Sequence, residues 1–134
     1  MQELLAFVPE NDFERAIAEA KAERISVDAM LAAAAEAILT VPSIAPVTPD
    51  GTGFEPLLMR AGVHKLIACF SAPSRHALYR DRAPHSFELP GREVFLRIPP
   101  PYGAIVNPGY SAQLILTPDK IASMKPALGW FVPQ

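Results

Sequence analysis

Tyr102-Gly103-Ala104-Ile105-Val106-Asn107-Pro108-Gly109-Tyr110 reads as a short apolar strand that stops at a specified turn. Ala104 to Val106 is too short an apolar run for a helix. Pro108 has no amide donor and biases Asn107 away from the right-handed helical region, so the strand ends there. Pro108 and Gly109 fit the second and third positions of a type II turn, with Asn107 bonding backbone donors just downstream. Tyr102 and Tyr110 bracket the unit, so the local physics predicts either a rigid strand end or a ligand or partner rim made of Tyr102, Asn107, Gly109 and Tyr110.

Working outward, Pro99-Pro100-Pro101 reads as a stiff extended connector that lacks three donors. Before it, residues 92–98 fit a strand through Val94, Leu96 and Ile98, or a helix through Val94, Phe95 and Ile98; the helix is preferred. After the turn, Ala112–Leu116 reads as a strand. Thr117 caps a last helix with Pro118 in its first turn and Ile121 and Met124 facing inward.

At the front of the chain, Asn11 and Glu14 form a capping box for a helix with Phe13 and Ile17 on its apolar face and an Arg15–Glu19 pair. Ser26 starts a second helix with Val27, Met30, Leu31 and Ala34 or Ala35 inward. Its alanine run from Ala32 to Ala35 admits close approach by another element. Ile38–Val41 and Ile44–Val47 read as short strands, at least one of them at an edge because of Pro42, Pro46 and Pro49. Asp50–Gly53 is a turn leading to a return strand that ends at Met59. Val63–Phe70 reads as a central strand covered on both faces. Ser71 or Ser74 caps a short helix from about Pro73 to Arg80, and Ser86–Leu89 is a brief strand.

The 134 residues indicate one domain, 1–134, with an apolar tail over 126–134 that carries Leu128, Trp130, Phe131 and Val132. Half of the residues are apolar and the net charge is -2, which argues against bulk disorder and against nucleic acid as a partner. Residues 1–59 carry ten acidic and three basic side chains, residues 60–97 three acidic and seven basic. Such a division either docks the two regions together or leaves a surface dipole that steers a partner. Met1–Val8 contains Glu3 and lacks the basic start of a secretory leader, and no apolar run approaches a membrane-spanning length. With a single cysteine, Cys69, a cytoplasmic setting is expected.

Few residues read as chemistry. A thiol nucleophile would combine Cys69 with His64, His76 or His85, but Cys69 lies in an apolar strand, where cysteine is usually buried. A zinc site from His76, Asp81, His85 and Cys69 has no compact ligand spacing. Asp81, Glu88 and Glu93 have no sequence reason to meet as paired acids. No cofactor and no metal is therefore expected. Arg75, Arg80, Arg82 and Arg92 form a basic cluster that either pairs with the acidic helices or receives an acidic partner or small anionic ligand.

The order of these segments resembles the N-terminal domain of the enhanced-serine-sensitivity protein B (SseB-like) family. The likeness rests on Asn11-Asp12-Phe13-Glu14, on Leu39-Thr40-Val41-Pro42, on Val63–Phe70 followed by Ser71-Ala72-Pro73, and on Gly91–Arg97 followed by Gly103–Gly109. It covers about residues 11–125; Tyr110 and the lack of a second domain after residue 125 depart from the family pattern. The resemblance implies an α/β domain, α+β leaning: a mixed β-sheet flanked by short helices, with an N-terminal helix pair. It carries over no catalytic residues. The expected function is a non-enzymatic binding or protein-interaction domain with an unknown protein partner. The alternatives are a small-ligand binder or small enzyme with a pocket near Asn107 and the basic loop 75–92, and a structural homo-oligomer.

Overall fold

The computed structural model describes residues 6–126 of the chain. Helices α1 (Asp12–Lys21) and α2 (Val27–Glu36) come first, then strands β1 (Ile38–Ser43), β2 (Leu58–Ala61) and β3 (His64–Cys69). A helical turn, α3 (Pro73–His76), runs into a 3-10 turn at Ala77–Tyr79. β4 (His85–Pro90), α4 (Gly91–Arg97), β5 (Gly103–Val106), β6 (Leu114–Leu116) and α5 (Pro118–Met124) complete the order. The expected mixed α/β fold is present, and residues 91–97 are helical.

The strands form a four-stranded mixed sheet, β2-β3-β5-β6, and a two-stranded antiparallel sheet, β1-β4. β3 and β5 are parallel; the other neighbours are antiparallel. An isolated Thr40–Phe70 bridge links the two sheets. Alternation along β3 and β5 sends Ile67, Cys69, Ala104 and Val106 into the larger core with α1, α2 and α4, while Leu66, Ala68 and Ile105 enter a smaller core with Phe70, Tyr79 and Tyr110. β3 is thus inside the sheet and covered on both faces, as its apolar run requires.

The helix starts follow their caps. Asn11, Ser26 and Thr117 each accept from a backbone amide three residues on. The small-residue face of α2 admits Gly91: a Cβ there would lie 1.8 Å from the Ala34 carbonyl oxygen, so the start of α4 can approach only as glycine.

Several local expectations give way to tertiary structure. Ile44–Val47 is not a strand, because β1 takes β4 as its partner and, beyond Ser43, the returning segment is joined only by scattered bonds such as Ile44 N–H to the Glu55 carbonyl at 2.8 Å, with no continuous ladder. Pro99–Pro101 is not an extended connector: the Pro100–Pro101 bond is cis, and Tyr102 donates to the Pro99 carbonyl at 2.9 Å, closing a turn. Ala72, not a serine, caps α3, and no side chain bonds its first amides. Val27 faces outward. Arg15 pairs with Asp12, and Glu19 with Arg24 at 3.1 Å. The fate of Leu128 to Val132 lies outside the described residues.

Candidate functional site

The carboxyl ends of parallel β3 and β5 face one crevice, the usual ligand position of an open α/β sheet. Here the chain's own side chains fill it. Asn107, in the left-handed region at φ 56°, is fully buried. Its Oδ1 accepts from the Ser71 backbone N–H at 3.0 Å, and its Nδ2 donates to Ser71 Oγ at 2.9 Å. The Asn107 side chain therefore reaches back to the end of β3 instead of bonding donors downstream. The turn itself forms as expected: Tyr110 donates to the Asn107 carbonyl at 3.2 Å and Gly109 has φ 86°.

Ser71 Oγ donates to Glu14, a fully buried carboxylate. Glu14 also accepts from Arg75 Nη2 at 2.8 Å, from Arg75 Nε at 3.1 Å and from the Glu10 amide at 2.8 Å. The forked arginine contact is the strong, directional kind. Glu14 does not close a capping box, since its oxygen takes the amide of Glu10 and not of Asn11. Asn11 Nδ2 meanwhile donates to the Ser71 carbonyl at 2.9 Å. Arg75 is further held by the Val8 carbonyl at 2.6 Å, by Glu10 at 3.2 Å and by the Phe7 ring, whose centroid is 4.2 Å away. Tyr110 donates its hydroxyl to the Arg75 carbonyl at 3.1 Å and meets Phe7 edge to face.

Burial pushes Glu14 toward protonation, but hydrogen bonds from Arg75, Ser71 and the Glu10 amide, with the guanidinium charge, hold its carboxyl below the ordinary 4.5. Unfolded Glu14 binds its proton more readily than folded Glu14. Its contribution is therefore complete above about pH 4.5 and is lost as pH falls through the lower folded value. The urea midpoint of the native chain is expected to fall between about pH 5 and pH 3, and the Glu14→Gln chain to show a shallower fall over that interval.

The predicted rim is divided by this arrangement. Asn107, Gly109 and Tyr110 are together and buried at one end of β5, while Tyr102 stands at the other end. The basic cluster divides as well. Arg75 turns inward; Arg80 and Arg82 remain exposed on the following turn, with Arg82 over the Tyr79 ring at 5.8 Å; Arg92 pairs with Glu36 at 3.0 Å. Cys69 is buried, which pushes its thiol up to about 12 and leaves it protonated and unreactive at neutral pH. His76 is buried as well and donates Nε2–H to the Ala83 carbonyl at 2.6 Å. Among the described residues no three His, Cys, Asp or Glu side chains form a metal-binding group, and no helix is long and apolar enough to cross a membrane.

An open apolar groove of about 390 Å³ lies between the two sheets. It is lined by Val41, Phe87 and Leu89 of the β1-β4 pair, by Leu58 and Ile67 of β2 and β3, and by Val94, Ile98 and Pro99. Phe54 and Tyr102 stand at its margins, with Asp50 and Arg97 as its charged lining. Phe54 meets Phe87 edge to face with ring centroids 5.2 Å apart. The loop bearing Phe54 is ordered by Asp50, which accepts from the Thr52 amide at 3.0 Å and from the Thr48 hydroxyl. Of the predicted site residues only Tyr102 belongs to this groove. The sequence signal for the others was slight: Phe87 and Leu89 alternate on one strand face, and Phe54 is a lone aromatic beside a glycine turn.

The family model of the SseB protein N-terminal domain matches residues 13–123. No curated protein and no solved structure matches the chain.

Proposed function

The chain belongs to the family of SseB protein N-terminal domains, and from that premise we propose that it is a non-enzymatic, cytoplasmic protein-interaction domain that binds apolar side chains of a partner polypeptide in the groove between its two sheets. The observation that carries this reading is the groove itself: it is concave, open and mostly apolar, and it lies beside β2, an edge strand on which Leu58 is 40% exposed. An edge strand next to apolar pockets suits an extended peptide, with backbone pairing for affinity and pockets for selectivity. Arg97 on the groove's rim pairs with Glu93 at 3.5 Å, so selectivity in this reading rests on the apolar lining.

The absence of chemistry in this reading has its own support. Glu14, Ser71, Arg75 and Asn107 are engaged with one another, and the Cys69 thiol is held protonated. Peptides selected from a displayed library on the native chain should bind about tenfold more weakly to Leu58→Glu, a difference of about 1.4 kcal/mol. Val27→Glu, on the outer face of α2, should bind them normally. Selection of peptides insensitive to Leu58→Glu, or of none at all, would count against the groove.

A further inference from the structure

The segment before α1 lies over the crevice at the carboxyl ends of β3 and β5, and it is held in an unusual way. Among the described residues, 6–10 make no backbone-to-backbone hydrogen bond. The Phe7 ring lies 4.2 Å from the Arg75 guanidinium, which stands 5.5 Å from the Tyr110 ring on its other side. The Val8 carbonyl accepts from Arg75 Nη2 at 2.6 Å, while the Val8 side chain is 76% exposed. The Glu10 carboxylate accepts from Ser74 Oγ at 2.6 Å and pairs with Arg75 Nη2 at 3.2 Å. Pro9 between them has no amide to satisfy. Phe7-Val8-Pro9-Glu10 is thus held as a bound peptide is held, by a ring, a carbonyl and a carboxylate.

We propose that residues 7–10 act as a ligand in cis of a peptide site formed by Ser74, Arg75 and Tyr110. In trans the site takes the same chemistry: an extended segment of another protein with an aromatic residue three positions before a carboxylate, which displaces the strap. This surface shares no residue with the groove between the sheets and does not depend on it. Three observations favour this occupant. The fork on Glu14, at 2.8 and 3.1 Å, fixes the guanidinium whether or not the strap is seated, so the site is preorganised. A strap without ladder bonds belongs to the part of a fold that opens most readily. An aromatic acidic segment restores every contact the strap gives up, whereas a neutral one leaves Ser74 and Arg75 without their carboxylate.

Joined to the body, the strap competes at an effective concentration of order millimolar, so it should mask the site from a free peptide. Fluorescence anisotropy of a labelled acetyl-Phe-Val-Pro-Glu-amide peptide measures this. The full chain with Phe7→Ser and Glu10→Ser should bind it about tenfold more tightly than the native chain does. Replacing the peptide's phenylalanine by alanine, or its glutamate by glutamine, should weaken binding several-fold, and Leu58→Glu should leave it unchanged. Equal binding to both chains overturns the proposal, as does binding indifferent to the peptide's ring and carboxylate. Binding lost with Leu58→Glu also overturns it, because the peptide then sits in the groove.

Fluorine NMR tests the strap without a loosening substitution. In the native chain with para-fluorophenylalanine in place of Phe7, the resonance should lie away from its solvent value and move to it as unlabelled peptide is added in excess. The glutamine peptide should not move it. A resonance at the solvent value from the outset, or one that excess peptide leaves in place, overturns the proposal. Sedimentation of the native chain as a dimer that the peptide dissociates overturns it too, since the occupant is then the strap of a second copy.

Discussion

Arg75→Met is expected to cost the fold about 3–5 kcal/mol, the usual penalty for leaving a buried charge without its partner. Methionine retains an apolar stem against Phe7 and Tyr110, so lost packing contributes little. What disappears is the fork on Glu14, at 2.8 and 3.1 Å, and the bond to the Val8 carbonyl. Glu14 is fully buried and cannot turn to water. Adding Glu14→Gln to Arg75→Met should therefore recover part of the loss, because the second change removes the stranded charge. Urea denaturation of the two single variants and the double variant measures this as a coupling energy. Additivity within about 0.5 kcal/mol would mean that the two groups do not act as a pair.

Asn107→Leu is expected to cost about 3 kcal/mol by two separable effects. The Ser71 amide loses its acceptor in a site closed to water, and a residue with no local hydrogen bonding is forced to φ 56°. Asn107→Asp separates them. Aspartate tolerates the left-handed region and keeps the acceptor for the Ser71 amide, but cannot donate to Ser71 Oγ. It also brings a second carboxylate close to Glu14, so its deficit should grow with pH through the carboxylate range while that of Asn107→Leu stays nearly level. Thermal melts across that range read the difference. Equal pH profiles for the two variants would show that Asn107 acts by backbone conformation alone.

The fold was legible wherever local chemistry decides. Asn11, Ser26 and Thr117 mark helix starts by side-chain capping, and the near-continuous apolar run Leu66–Phe70 marks an inner strand covered on both faces. The turn at Asn107-Pro108-Gly109 was readable because Pro and Gly constrain the backbone whatever surrounds them. Ile44–Val47 was misread because strand-like composition does not reveal that β4, over forty residues on, takes the pairing edge of β1.

The site was less legible for the same reason. Asn107 and Arg75 were each singled out, but Ser71 and Glu14, which join them, read locally as a cap and a capping box. No spacing shows that the three segments meet. The groove was harder still, because Val41, Leu58, Phe87 and Val94 look like ordinary core residues until the two sheets are placed side by side.

The Ser71 cluster also bears on how the chain reaches this state. Its bonds join residues far apart: Ser71 and Asn107 are separated by 36 positions, Ser71 and Glu14 by 57, Arg75 and Glu14 by 61. The cluster is not complete until three distant segments have closed on one another, and each closure costs chain entropy before its bonds repay it. Such contacts belong late on the folding path, after β3 and β5 have aligned. Substitutions in the cluster should then leave the rate of collapse nearly unchanged and hasten the rate of coming apart. The cluster would act as a latch on a body already assembled, setting its lifetime more than its speed of formation.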